Sequence, residues 1–145
     1  MLFIYRALIN LVIIFSPIII LLRLIKKKEH PIRFKEKLCF FSKKRGIGKL
    51  IWFHGSSVGE ILSIIPLIEN LEKDRTINKI LLTTSTLSSS NVIKKFKFKK
   101  TVHQFFPIDN DYFSKKFLNY WRPNTIFFIE SEIWLNFLIN IKKRN

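Results

Sequence analysis

A chain of 145 residues has room for one domain, and 48% hydrophobic residues with 14% aromatics exclude a disordered polypeptide. A formal charge of +16 points to an anionic partner, either a polyanion or a surface of acidic lipid. The single cysteine, Cys39, excludes an internal disulfide and a cysteine-based metal site.

Residues 1–25 are nearly all apolar. The run between Arg6 and Arg23 holds 16 residues, slightly fewer than the ~20 that cross a bilayer. With both arginines snorkelling to headgroups, this stretch predicts a tilted or partly inserted membrane helix, kinked at Pro17. A cleaved leader is the competing reading, but no small-x-small site follows, whereas a basic block of Lys26, Lys27, Lys28, Arg33, Lys35 and Lys37 does. Such a block holds the following chain on the cytoplasmic side. Lys26, Lys27, Lys28 and Arg33 are therefore expected at the membrane surface, each adding ~1 kcal/mol of attraction to anionic lipid. Residues 26–49 read as a basic, membrane-proximal connector in which 33–38 form a short amphipathic helix.

From residue 50 onward, apolar runs alternate with helical segments. Strands are expected at 50–54, 79–84, 102–107 and 125–130. Helices are expected over 61–73 with Pro66 inside, through 92–96, over 111–121, and from about Glu132. Continuous apolar strands separated by helices predict an α/β fold with a parallel sheet covered on both faces. The run ends in or just after a helix, which leaves this Rossmann-like sheet (50–145) incomplete.

Ligands of open parallel sheets bind outside the carboxyl ends of the strands. Five of the ten acidic residues fall there: Glu60, Asp109, Asp111, Glu130 and Glu132. In so basic a chain that placement suggests a site. Ser57-Val58-Gly59-Glu60 is a capping-box sequence, and Glu60 in the same place is also a candidate general base for a hydroxyl. Gly55-Ser56-Ser57-Val58-Gly59 also fits the G-x-S-x-G nucleophile elbow of serine hydrolases, but no histidine follows the candidate acid, as that order requires. Thr84 and Thr86 offer hydroxyls to a sugar or phosphate, or cap a helix. His54 and His103 read as structural hydrogen-bonders, with no spacing that suggests a metal site. No P-loop and no G-x-G-x-x-G is present.

Several motifs in order carry a resemblance. IWFHGSSVGE (51–60), Phe106-Pro107-Ile108-Asp109, FLNYWRP (117–123) and ESEIWLN (130–136) resemble segments of the bacterial 3-deoxy-D-manno-octulosonic acid (Kdo) transferases. Thr83-Thr84-Ser85-Thr86 lies where that family has a Thr-rich turn. The resemblance implies the N-terminal half of a two-domain GT-B glycosyltransferase that moves Kdo from CMP-Kdo to the lipid A precursor, with no metal and no cofactor in the transfer. It implies the cytoplasmic face of the inner membrane, contact with anionic lipid there, and no nucleic-acid partner. The donor CMP-Kdo is expected on a C-terminal domain that this chain lacks. By resemblance Glu60 is the general base and Glu130 a second catalytic carboxylate, with Ser57, Gly59, Thr84, Thr86 and Glu132 near substrate. Three positions depart from the pattern: Leu87 and Leu135 replace prolines, and Cys39 replaces a glycine. A non-catalytic membrane-associated remnant is the alternative reading, with a serine hydrolase as a distant third.

Overall fold

The computed structural model describes residues 2–129 and 132–144. Strands β1 (Leu50–His54), β2 (Lys79–Thr84), β3 (Thr101–Phe105) and β4 (Thr125–Phe128) form one parallel sheet in the order β3-β2-β1-β4. The α/β class and the parallel sheet are as the sequence predicts. β1 is buried along its whole length because both its faces are covered. Ile51 and Phe53 pack with Ile80 and Leu82 against the isoleucines of α2 (Val58–Lys73) and Ile93 of α3 (Leu87–Ile93). Leu50, Trp52 and Leu81 point the other way, into an aromatic cluster with Phe117 and Trp121 of α4 (Asp111–Trp121) and Phe137 of α5 (Leu135–Lys142).

The expected boundaries of β1, β2 and α4 coincide with the observed ones. α2 starts three residues earlier than its apolar periodicity suggests, because the Ser57–Glu60 capping box nucleates it. α3 likewise starts at its Thr86 cap and ends before Phe96. β3 stops at Phe105, two residues before Pro107, which has no N–H to give a ladder. α5 begins at Leu135 instead of near Glu132. Gly48, at φ +91 in the turn into β1, leaves no room for a Cβ, which would meet the Asn78 side chain at 2.2 Å.

Residues Leu2–Ile25 form α1, the one described helix long and apolar enough to cross a membrane. Pro17 does not break it. The carbonyl that Pro17 cannot bond belongs to Ile13, and the Ser16 hydroxyl donates to it at 2.7 Å. The helix ends in a Schellman arrangement, with Lys28 N–H bonding Arg23 O at 2.8 Å, Lys27 N–H bonding Leu24 O at 3.0 Å, and Lys27 at φ +52.

Residues 33–38 are a short 3₁₀ helix that works differently from the expected surface helix. Arg33 is drawn inward, with its guanidinium on both oxygens of buried Glu36 at 2.8 and 2.9 Å and on His103 O at 2.8 Å. Glu36 Oε2 also accepts the Phe105 N–H at 2.7 Å. The pair thus closes the free edge of β3.

Candidate functional site

The β1–α2 turn stands at the carboxyl end of the sheet. Glu60 Oε2 accepts the Ser56 N–H at 2.7 Å and the Ser57 N–H at 3.2 Å, while the Ser57 hydroxyl accepts the Glu60 N–H at 3.2 Å. The capping box is therefore complete, and it holds the carboxylate at the mouth of β1. Among the described residues Oε1 accepts no hydrogen bond, so one oxygen fixes the group and the other is available to a proton. Beside it, Gly59 faces open space, whereas a Cβ on Gly55 would press on Ile61 and the Glu60 Cβ at 3.2 and 3.3 Å. Ser57 has relaxed, extended backbone (φ −100, ψ 161), not the strained conformation of a nucleophile elbow, and its hydroxyl serves as a cap. The geometry gives the serine-hydrolase reading no support.

A buried polar network lies beneath the turn. Trp52 Nε1 donates to Thr83 Oγ1 at 2.8 Å, and His54 Nδ1 sits 3.1 Å from Thr83 O and 2.9 Å from its hydroxyl. The Thr83 backbone carbonyl only accepts, so Nδ1 carries the proton. His103 holds the opposite tautomer. The Arg33 guanidinium only donates, which makes Nδ1 the acceptor at 2.9 Å and leaves Nε2–H for Thr84 Oγ1 at 2.9 Å. Burial first, and the adjacent Arg33 charge second, push the His103 pKa down to about 3.

Thr84 is consequently a structural residue: it is fully buried and its hydroxyl belongs to His103, which removes it from the surface where a substrate would lie. Thr86 is exposed and caps α3 through Ser89 N at 3.2 Å. The acidic rim also divides. Asp109, 1% exposed, accepts the Asn136 and Phe137 N–H groups at 3.0 Å each and so caps α5 from another loop. That explains the late start of α5. Asp111 is paired with Lys115 at 2.6 Å and Arg6 at 2.7 Å. Of the five rim acids, these two are engaged in holding the fold together. Glu132 is exposed, and Glu130 lies outside the described residues.

Sequence reasoning missed the role of α1. Tyr5 donates to Asp109 at 2.5 Å, Arg6 Nε donates to Asn136 Oδ1 at 3.1 Å, and Asn10 meets Asn110 at 2.8 Å. The signal was present as Tyr5, Arg6, Asn10, Ser16 and Arg23, the polar interruptions of an apolar helix. Between α1 and the sheet rim runs an apolar cleft of about 270 Å³ lined by Ile9, Val12, Phe106, Ile108, Trp134 and Ser85. Ser85 is 3.2 Å, hydroxyl to hydroxyl, from Ser56 of the Glu60 turn. At the far end of α1, Arg23, Lys27 and Lys28 face Thr86, Ser88 and Asn91 across a basic cleft of about 490 Å³. Lys26, Lys27 and Lys28 are exposed, in contrast to Arg33.

The family profile described as 3-Deoxy-D-manno-octulosonic-acid transferase (kdotransferase) matches residues 32–145. The chain is similar to the probable mitochondrial 3-deoxy-D-manno-octulosonic acid transferase of Arabidopsis thaliana, at 36% identity over 140 residues (94% of this chain, 31% of the relative). It is also similar to the 3-deoxy-D-manno-octulosonic acid transferases of Rickettsia bellii, at 38% over 117 residues (81% of this chain, 28% of the relative), and Rickettsia felis, at 46% over 85 residues (59% and 18%). The chain thus spans about a third or less of the length of these relatives.

Proposed function

The chain belongs to the 3-deoxy-D-manno-octulosonic acid transferase family, and we propose that it is the acceptor-side part of an enzyme that transfers Kdo from CMP-Kdo to the lipid A precursor, lipid IVA. The observation that carries this reading is the Glu60 carboxylate, held at the end of β1 by two backbone N–H groups with Oε1 open. In the proposed step Glu60 takes the proton of the acceptor sugar hydroxyl as its oxygen bonds the anomeric carbon of Kdo. The bond from that carbon to the CMP phosphate oxygen breaks, and CMP leaves with the electron pair. Open space beside Gly59 gives the sugar room, and Ser57, Thr86, Glu130 and Glu132 complete the proposed rim.

The acceptor is an anionic lipid, and the surroundings suit one. The apolar cleft under α1 reaches the Glu60 turn through Ser85 and Ser56. The basic cleft at Arg23, Lys27 and Lys28 has the charge for a phosphate. The cytoplasmic face of the inner membrane is the proposed location, with Lys26 to Lys28 on the anionic surface.

The donor nucleotide is assigned to sequence beyond the part of the relatives that this chain covers. The test mixes the detergent-solubilised chain with the remaining C-terminal portion of the Rickettsia bellii relative, and separately joins the two covalently. Labelled Kdo is then followed from CMP-Kdo into lipid IVA. Product is expected only when both parts are present. Absence of product from the joined protein would overturn the proposal in favour of a non-catalytic remnant.

A further inference from the structure

We propose that α1 does not cross the bilayer but lies in its surface, clamped along one side to the folded domain and immersed along the other in lipid. The inference stands on the contacts of α1 and is independent of which sugar is transferred.

Domain contacts run almost the whole length of the helix. Near its start Tyr5 reaches Asp109, and Arg6 reaches Asp111 and Asn136. Midway, Ser16 and Ile20 are buried, at 4% and 8% exposure, beside Ile108 and Lys37. At its end Arg23 pairs with Glu29 at 3.0 Å. Positions 5, 9, 16, 20 and 23 follow helical spacing and make one stripe.

From Tyr5 to Arg23 the rise is roughly 27 Å, close to the ~30 Å hydrocarbon thickness. A docked helix that spanned would carry Asp109, Asp111, Glu29 and Lys37 into the lipid core with it, where ionised groups are strongly disfavoured. Laid flat, the same helix keeps those groups on its water side.

The opposite stripe is bare hydrocarbon: Phe3, Ile14 and Ile25 are 83%, 71% and 69% exposed. They are eleven residues apart, about three turns, and so point the same way. Lipid is the occupant that matches this face, because exposed Lys26, Lys27 and Lys28 sit where the helix ends and complement anionic headgroups.

Three single variants, Phe3→Cys, Ile14→Cys and Ile25→Cys, test the orientation. Each is labelled with an environment-sensitive fluorophore and bound to vesicles of phosphatidylethanolamine and phosphatidylglycerol. Cys39 stays unlabelled, being fully buried with its thiol pushed up to about 12 by burial. Nitroxide lipids carrying the quencher at shallow or deep positions report depth. An in-plane helix gives one shallow-over-deep quenching ratio at all three sites. A maximum depth at Ile14, with Phe3 and Ile25 labels reached by aqueous quencher from opposite sides of sealed vesicles, would overturn the proposal. So would labels that stay in water at all three sites.

Discussion

Glu36 is buried with its carboxylate filled by Arg33, Ser42 and the Phe105 N–H. Removing it strands a charged guanidinium and an edge N–H of β3. Glu36→Ala is expected to lower stability by about 3 kcal/mol in chemical denaturation, and a loss below about 1 kcal/mol would show that the pair is peripheral. His103 gives the same corner a pH response. Its folded pKa, about 3, lies below the ordinary value of 6.5. Between those values the unfolded chain binds a proton that the folded chain refuses, so stability drops as pH falls from about 6.5 toward 3 and is unaffected above 6.5. Thermal melts across that range should show a shallower acid decline for His103→Gln, which retains an acceptor for Arg33 and a donor for Thr84. An unchanged slope would remove His103 as the cause. The caps at Ser57 and Thr86 were legible in the sequence because they act three residues away. The Glu36 contact with Phe105 spans 69 positions, and no local pattern announces it.

The elements explain the three departures from the family pattern. Leu87 and Leu135 are each the first residue of a helix, after the Thr86 and Trp134 caps. That is where proline is favoured, and where its missing N–H is harmless. Leucine there preserves the helix start, and the rim loops keep their caps. Cys39 sits at φ +61 at the end of the 3₁₀ helix, a conformation natural to glycine. Its Sγ contacts the Phe113 carbonyl at 3.4 Å instead. Leu87→Pro should therefore raise stability by about 0.4–1 kcal/mol, since Thr86 already has the extended backbone that precedes proline. A drop in melting temperature would mean that the Leu87 N–H or side chain is needed. Strand and helix order was readable from apolar runs and caps. The docking of α1 was not, because an apolar helix satisfies lipid and protein partners alike, and only its polar interruptions distinguish them.

At the scale of the molecule, the fold sets two features against each other at one end of the sheet. Asp109 and Asp111 bind α1 and α5 to the β3–α4 side, while the Glu60 turn at the end of β1 remains open beside Gly59. The clustering of acidic residues in the sequence pointed to the end of the sheet where the Glu60 turn stands. It could not show that Asp109 and Asp111 tie distant helices together, because that depends on which N–H groups and cations arrive from elsewhere in the chain. The most direct test of the account is the rate of Kdo transfer by the complete, joined enzyme carrying Glu60→Gln, read alongside its melting temperature. The amide oxygen can still accept the Ser56 and Ser57 N–H bonds but cannot take a proton, so melting should be unchanged while transfer falls by roughly 100-fold or more. Transfer within a few-fold of the parent would contradict the assignment of Glu60 as the base.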